Sequence, residues 1–200
     1  FPALSLAEEL KNNGEIIFIC DQGKAEKVIE KKGYRVIAVS VPKFRSGLNI
    51  LPFVFGLLGA FGRSFKVIVD FKPALVVGFG SYVSFPVVMA AKVRRIPTIT
   101  HEQNVIPGRA NRILANFVNK IAISFSESAK YFPRAKILLT GCPIRRELLK
   151  ADKTEALQKF NMAADKFTIL VLGGSQGSHH LNLKFTRAVA GSEAKDGLQI

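Results

Sequence analysis

The chain has 200 residues, 48% hydrophobic and 22% charged, and this balance excludes an intrinsically disordered protein. The net charge is +14, so we expect an anionic partner: nucleic acid, membrane lipid or a phosphorylated ligand. Two cysteines, Cys20 and Cys142, are too few for a disulfide framework and lack metal-binding spacing, which favours a reducing compartment. We expect no signal peptide, because no basic start leads into an apolar stretch with a small-residue cleavage site.

Apolar strands alternate with helical segments along the chain. We predict helices over 2–10, 24–32, around 67–68, and over 86–95, 107–119 and 145–160, and strands over 16–19, 34–39, 74–77, 98–100, 121–124, 137–139 and 168–172. This alternation predicts an α/β fold with a doubly wound, Rossmann-like parallel sheet, whose ligands bind beyond the carboxyl ends of the strands.

A polar helical stretch divides the predicted elements into two sets. We expect a Rossmann-like domain over 1–144, a linking helix over 145–165 and the beginning of a second domain over 166–200. An α/β domain usually begins with a strand, whereas Phe1 leads directly into a helix. We therefore expect a first strand and its loop to precede Phe1, and the rest of the second domain to follow Ile200.

Two glycine-rich turns lie between a predicted strand and a helix. The first is Gly78-Phe79-Gly80-Ser81-Tyr82, and the second is Gly173-Gly174-Ser175-Gln176-Gly177. Glycine allows the backbone to turn sharply and approach a ligand, and the helix that follows directs unpaired N–H groups toward it. Both turns therefore predict binding of an anion, most often a phosphate.

The polar segment His101-Glu102-Gln103-Asn104 follows the predicted strand over 98–100. In one interpretation it only caps the next helix, and His101 is a buried imidazole with its hydrogen bonds satisfied. Its position at the same sheet edge as the first glycine turn favours the alternative, a ligand site.

Four segments occur along the chain in a fixed order: the first glycine turn, the segment 101–104, Gly141-Cys142-Pro143-Ile144-Arg145 and the second glycine turn. This succession resembles the MurG family of peptidoglycan N-acetylglucosaminyltransferases. The resemblance covers essentially the whole chain. It implies a GT-B fold of two facing domains and a metal-independent, cofactor-free, inverting transfer. UDP-GlcNAc would donate GlcNAc to the MurNAc 4-hydroxyl of undecaprenyl-diphosphoryl-MurNAc-pentapeptide (lipid I to lipid II), at the cytoplasmic face of the bacterial inner membrane.

The resemblance also assigns roles to residues of this chain. Asn104, Arg145 and Ser175 match family residues that contact UDP-GlcNAc. The first turn would line the acceptor side through Gly78, Gly80, Ser81 and Tyr82. Residues expected to support the contacts are His101, Glu102, Gln103, Gly174, Gln176 and Gly177. The general base would be a histidine in a loop before Phe1, so we expect these 200 residues alone to be inactive.

Two positions depart from the family pattern. Cys142 stands where the family usually has Asn, which puts in doubt any hydrogen bond from that side chain. Ser81 replaces a usual Gly, which restricts the backbone at that position.

The segment 50–61 is strongly apolar but too short to span a bilayer. It is either a core helix or a membrane-docking patch made of Leu51, Phe53, Phe55, Leu58 and Phe61. The flanking cations Lys43, Arg45, Arg63 and Lys66 favour docking to an anionic membrane.

Other functions remain open at this point. The chain is alternatively another GT-B lipid glycosyltransferase, or a non-catalytic membrane-docking subunit that recruits a UDP-sugar-binding partner. A nucleotide-sugar epimerase shares the two-domain architecture but would lack the apolar patch. We expect no nucleic-acid partner, because no nucleic-acid-binding motif accompanies the basic residues.

Overall fold

The structure, a computed structural model, describes residues 1–41, 50–174, 177–191 and 198–199. The chain divides into two compact units, Phe1–Arg145 and Arg146–Ile200, which are described separately. The assignment of the second unit to the beginning of a UDP-sugar-binding domain, and of 145–165 to a linking helix, stays a prediction.

Helices and strands alternate throughout the first unit, as predicted. Its elements are α1 (Pro2–Leu10), β1 (Ile17–Cys20), α2 (Lys24–Lys31), β2 (Arg35–Ala38), α3 (Ile50–Phe71), β3 (Val76–Gly78), α4 (Ser81–Val93), β4 (Thr98–Glu102), α5 (Arg109–Leu114), β5 (Lys120–Ile123), two 3₁₀ helices (Ser126–Tyr131 and Arg134–Lys136) and β6 (Ile137–Leu139).

All strand pairs of this unit are parallel. β1 pairs with β2, and β3, β4, β5 and β6 form a four-stranded sheet in that order. Gly78 lies opposite Thr100, and Ile123 lies opposite Leu139, so the strands end at one common edge. The parallel pairing with flanking helices confirms the predicted α/β class.

The core lies between the sheet strands and helices α3, α4 and α5. Val88 and Ala90 of α4 and Leu114 of α5 are fully buried, as are Ile121 and Ile123 of β5. The two longest helices, α3 and α4, pack along each other. This packing fixes the first turn of α4, which begins at the carboxyl end of β3.

Helix α3 is longer than the apolar segment that the sequence suggested. Leu51–Phe71 is long and apolar enough, by length and composition, to cross a membrane, and a core helix passes the same test. Here one face packs on protein: Ala60, Ser64 and Ile68 are buried, and the Ser64 hydroxyl donates to the Ala60 carbonyl at 2.7 Å. The apolar segment 50–61 and the helix predicted around 67–68 are thus parts of one helix, so the length argument made from residues 50–61 alone does not apply to α3.

Several predicted boundaries in the first unit are wrong, and those of α4, β4 and α5 lie next to the candidate site. Helix α4 begins at Ser81 rather than 86, and Pro86 lies buried inside it. Strand β4 continues through Glu102, because polar residues there are buried and still pair with β5. Helix α5 is limited to Arg109–Leu114, which is shorter than the predicted 107–119.

The second unit contains less regular structure than predicted. Its elements are α6 (Arg146–Leu149), α7 (Lys153–Lys159), β7 (Phe167–Thr168), α8 (His179–Ala190) and β8 (Leu198–Gln199). Asp152 caps α7 by accepting from the amides of Thr154 and Glu155, which divides the predicted helix over 145–160. The strand predicted over 168–172 ends at Thr168, and the side chains of Leu170 and Leu172 are exposed rather than buried.

Candidate functional site

The first glycine turn has a strained backbone. Gly80 and Ser81 both have left-handed φ angles, 79° and 71°. A Cβ at Gly80 would lie 3.3 Å from the Asn111 amide nitrogen, a tight contact, so space as well as conformation favours glycine there. Ser81 adopts a conformation that costs about 1–2 kcal/mol in a residue with a side chain. Serine at this position therefore has a conformational cost in this chain.

His101 connects three of the motif segments. Its imidazole is buried, and Nε2 lies 3.0 Å from the Gly141 carbonyl. Because that carbonyl only accepts, Nε2 carries the proton, and Nδ1 accepts from the Gln103 side-chain amide at 3.0 Å. The Phe79 ring lies 5.5 Å from the imidazole. The ring nitrogens are thus both occupied, and His101 joins the turn at 78–82 to the segments at 101–104 and 141–145.

The carboxylate of Glu102 is buried at the end of β4, where its side chain is 1% exposed. Its Oε1 accepts from the backbone N and the side-chain Nδ2 of Asn104, both at 3.0 Å. Its Oε2 accepts from the Gly108 backbone N at 3.1 Å and from Asn111 Nδ2 at 2.9 Å. The four donors use the accepting capacity of both oxygens and hold the loop over 103–108. Glu102 is therefore a structural anchor of this loop.

Two further polar residues complete this network, and the sequence pattern did not single them out. Asn111 of α5 is buried, accepts from the Thr100 hydroxyl at 2.7 Å and donates to the His101 carbonyl at 3.1 Å. A signal was available: Asn111 is an amide on the helix face that carries the apolar Leu114 three residues later, and such a face normally packs on the sheet.

Asn104 and Arg145 are both exposed, in the first unit. The guanidinium of Arg145 lies 5.2 Å from the centre of the Phe1 ring, within range of a cation–π contact. Cys142 is exposed. The donor-binding roles of Asn104 and Arg145 stay predictions.

The predicted membrane patch has two kinds of members. Leu51, Phe55 and Leu58 are 71%, 70% and 60% exposed, whereas Phe53 and Phe61 pack against the core. Phe53 also meets Tyr82 edge to face, with ring centres 6.2 Å apart. The core-facing side of α3 therefore contacts the first turn of α4. Of the predicted flanking cations, Arg63 and Lys66 are exposed on α3, and Lys43 and Arg45 lie outside the described residues.

The second glycine turn is tightly folded where the structure describes it. A Cβ at Gly173 would lie 2.5 Å from the backbone nitrogen of Ser178, so only glycine fits. Gly174 and Gly177 have left-handed φ angles. Ser175 and Gln176, to which the family resemblance assigned donor-binding and supporting roles, lie outside the described residues.

Across the described parts of the chain, no three His, Cys, Asp or Glu side chains converge on a common point.

Residues 1–123, more than half of the chain, match the family described as the glycosyltransferase family 28 N-terminal domain. The chain belongs to this family. Two curated relatives align with nearly all of this chain. One, from Geobacter sulfurreducens, is 39% identical across 100% of this chain and 56% of its own length. The other, from Caldanaerobacter subterraneus, is 38% identical across 91% of this chain and 52% of its own length.

Both relatives are named UDP-N-acetylglucosamine–N-acetylmuramyl-(pentapeptide) pyrophosphoryl-undecaprenol N-acetylglucosamine transferase. The chain spans about half the length of these curated relatives.

A solved structure supports the family 28 fold independently. The crystal structure of Acinetobacter baumannii MurG superposes with a TM-score of 0.72, covering 96% of this chain and 52% of that one. The two sequences are 23% identical, so this likeness concerns the fold alone.

Proposed function

We propose that the natural full-length protein transfers GlcNAc from UDP-GlcNAc to the MurNAc 4-hydroxyl of undecaprenyl-diphosphoryl-MurNAc-pentapeptide. The observation that carries this proposal is the 38–39% identity, across 91–100% of the chain, to relatives named for this transfer. The joining of the first glycine turn to the segments at 101–104 and 141–145 through His101 is consistent with it.

The transfer is a single inverting displacement. The 4-hydroxyl oxygen forms a bond to the anomeric carbon of GlcNAc, the bond from that carbon to the diphosphate oxygen breaks, and UDP leaves with the electron pair. The hydroxyl proton passes to a general base. His101 and Glu102 do not fill that role in this proposal, because Nδ1 of the imidazole and both carboxylate oxygens already accept hydrogen bonds.

The donor contacts in this proposal come from Asn104, Arg145 and Ser175. A side-chain amide both donates to and accepts from sugar hydroxyls, and a guanidinium binds a phosphate or a uracil edge with two parallel hydrogen bonds. The turn at 78–82 would face the diphosphate of the lipid acceptor, with its backbone N–H groups at the beginning of α4.

The protein would act as a peripheral protein at the cytoplasmic face of the inner membrane. The support is the exposed apolar face of α3 formed by Leu51, Phe55 and Leu58, with the exposed cations Arg63 and Lys66 further along the same helix. Such a combination suits an interface of apolar chains and anionic headgroups. The net charge of +14 acts in the same direction.

The test is a transfer assay on the natural full-length protein with UDP-GlcNAc labelled in the sugar. We expect label in the product only when the undecaprenyl-diphosphoryl-MurNAc-pentapeptide acceptor is present. Transfer to a diacylglycerol acceptor instead would favour another lipid glycosyltransferase. Conversion of UDP-GlcNAc to its 2-epimer without transfer would indicate an epimerase, and UDP-GlcNAc left unchanged would favour a non-catalytic subunit. Each of these outcomes would overturn the proposal.

A further inference from the structure

The loop that carries Asn104 is held by a side chain rather than by regular structure. Asn104 is exposed, yet its backbone N and its Nδ2 both donate to one oxygen of the buried Glu102 carboxylate, at 3.0 Å each. The backbone bond holds the residue in place, and the Nδ2 bond orients its side-chain amide. One N–H points inward to Glu102, which leaves the second N–H and Oδ1 for a ligand.

The carboxylate is itself held in place from the other side. Asn111 Nδ2 donates to Glu102 Oε2 at 2.9 Å, and Asn111 Oδ1 accepts from the Thr100 hydroxyl at 2.7 Å. Reversing the Asn111 amide would place its oxygen against a carboxylate and a carbonyl, so the network determines this orientation. Thr100, Asn111 and Glu102 thus form a buried chain that ends at Asn104.

From this arrangement we infer that Glu102 is a positioning residue for UDP-GlcNAc binding, acting through the side-chain amide of Asn104. The inference rests on the proposed function, because Asn104 touches the donor only in that proposal. Charge-assisted hydrogen bonds are about twice as strong as neutral ones, so a carboxylate is the side chain best suited to hold four N–H groups. Glutamine at this position offers one oxygen and directs an NH₂ group at two donors.

The test is a double-mutant cycle of Glu102→Gln and Asn104→Ala in the natural full-length protein, with steady-state kinetics for UDP-GlcNAc. We expect Glu102→Gln to raise KM for UDP-GlcNAc about tenfold, the loss of about one hydrogen bond to a charged group, with a much smaller change in kcat. In the Asn104→Ala background the same change should have no further effect on KM. Glu127→Gln, which neutralises an exposed carboxylate on the first 3₁₀ helix, is the matched control and should leave KM unchanged.

The outcomes separate this inference from the proposed function. Absence of any transfer by the unmodified protein overturns the proposed function. Transfer with an unchanged KM in Glu102→Gln, or additive effects in the double variant, overturns the positioning role alone. A loss of kcat at constant KM in Glu102→Gln also overturns the positioning role alone.

A second measurement covers the case in which Glu102→Gln does not fold. Hydrogen exchange of the unmodified protein should show the backbone amides of Asn104 and Gly108 protected at least about tenfold over those of Val105 and Ile106 in the same loop. Equal exchange rates across these four amides would overturn the inference.

Discussion

The imidazole Nε2 of His101 donates a hydrogen bond of 3.0 Å to the main-chain carbonyl of Gly141, 40 residues further along the chain. We expect His101→Ala to lower the free energy of unfolding by about 2–3 kcal/mol, because it removes two side-chain hydrogen bonds and leaves a cavity under Phe79. Urea denaturation measures this. His179→Ala, on the exposed start of α8, is the control and should change stability by less than about 0.5 kcal/mol. Equal effects would contradict the role of His101 as a link.

The backbone at Ser81 gives a prediction of opposite sign. Ser81→Gly should raise the free energy of unfolding by about 0.5–1 kcal/mol, because relief of the left-handed strain exceeds the added entropy of the unfolded chain. Gly80→Ala should lower it by about 1–2 kcal/mol or more, since the new Cβ would also press on Asn111. The midpoints of urea unfolding test both, and a stability loss in Ser81→Gly would show that the serine side chain contributes more than its strain costs.

The two cysteines should differ in reactivity. Burial raises the pKa of the Cys20 thiol, and the carboxylates of Glu26, Asp21 and Glu30 raise it further. Less thiolate is therefore present at pH 8, and we expect iodoacetamide to modify the exposed Cys142 well before Cys20. Mass spectrometry of tryptic peptides over time measures the order. Unfolding in urea should make the two rates similar, and an equal rate in the folded protein would contradict the prediction.

The same raised pKa of Cys20 has a defined effect on stability. The folded chain holds the thiol proton more tightly than the unfolded chain does. The resulting contribution to stability is present below the unfolded pKa of about 8.5 and is lost as the pH rises above it. Cys20→Ser should therefore reduce the loss of stability between pH 8 and pH 10, measured by thermal unfolding. An unchanged pH dependence would contradict this.

The exposed face of α3 should contribute to membrane binding. We expect the triple variant Leu51→Ser, Phe55→Ser, Leu58→Ser to bind vesicles containing anionic lipid at least about tenfold more weakly, since each side chain loses apolar contact. Its thermal unfolding should be nearly unchanged because the three side chains are exposed. Phe61→Ser, whose ring packs on the core, is the contrasting variant and should destabilise the fold. Vesicle binding that survives the triple change would remove the docking role of α3.

Arg145 tests the donor side of the site. In the natural full-length protein, Arg145→Ala should raise KM for UDP-GlcNAc about tenfold, the loss expected for a hydrogen bond to a charged phosphate. Arg134→Ala removes the same charge from the exposed second 3₁₀ helix and should leave KM unchanged. An equal rise of KM in both variants would show that Arg145 acts only through the net charge, and an unchanged KM in Arg145→Ala would contradict its role in donor binding.

The strands of the first unit could be predicted from short apolar runs, and β6 has the predicted bounds. The start of α4 could not be predicted, because a proline such as Pro86 is typical of the first turn of a helix. The helix in fact begins five residues earlier, at Ser81, whose φ angle is left-handed. The burial of Glu102 was also missed. Its partners lie up to nine residues away in the chain, and a polar residue at a strand end reads as a loop until those partners are known. The prediction of a buried strand at Leu170 and Leu172 was wrong for the reverse reason, since an apolar run there indicated burial although both side chains are exposed.

The convergence of four N–H groups on Glu102 also affects how a ligand would be captured. The loop over 103–108 becomes ordered when the chain folds, because its two ends are tied to the same carboxylate. Little conformational freedom then remains to be lost at Asn104 during association. Encounter at this surface should resemble docking to a preorganised receptor, with association rates that do not wait for a loop rearrangement.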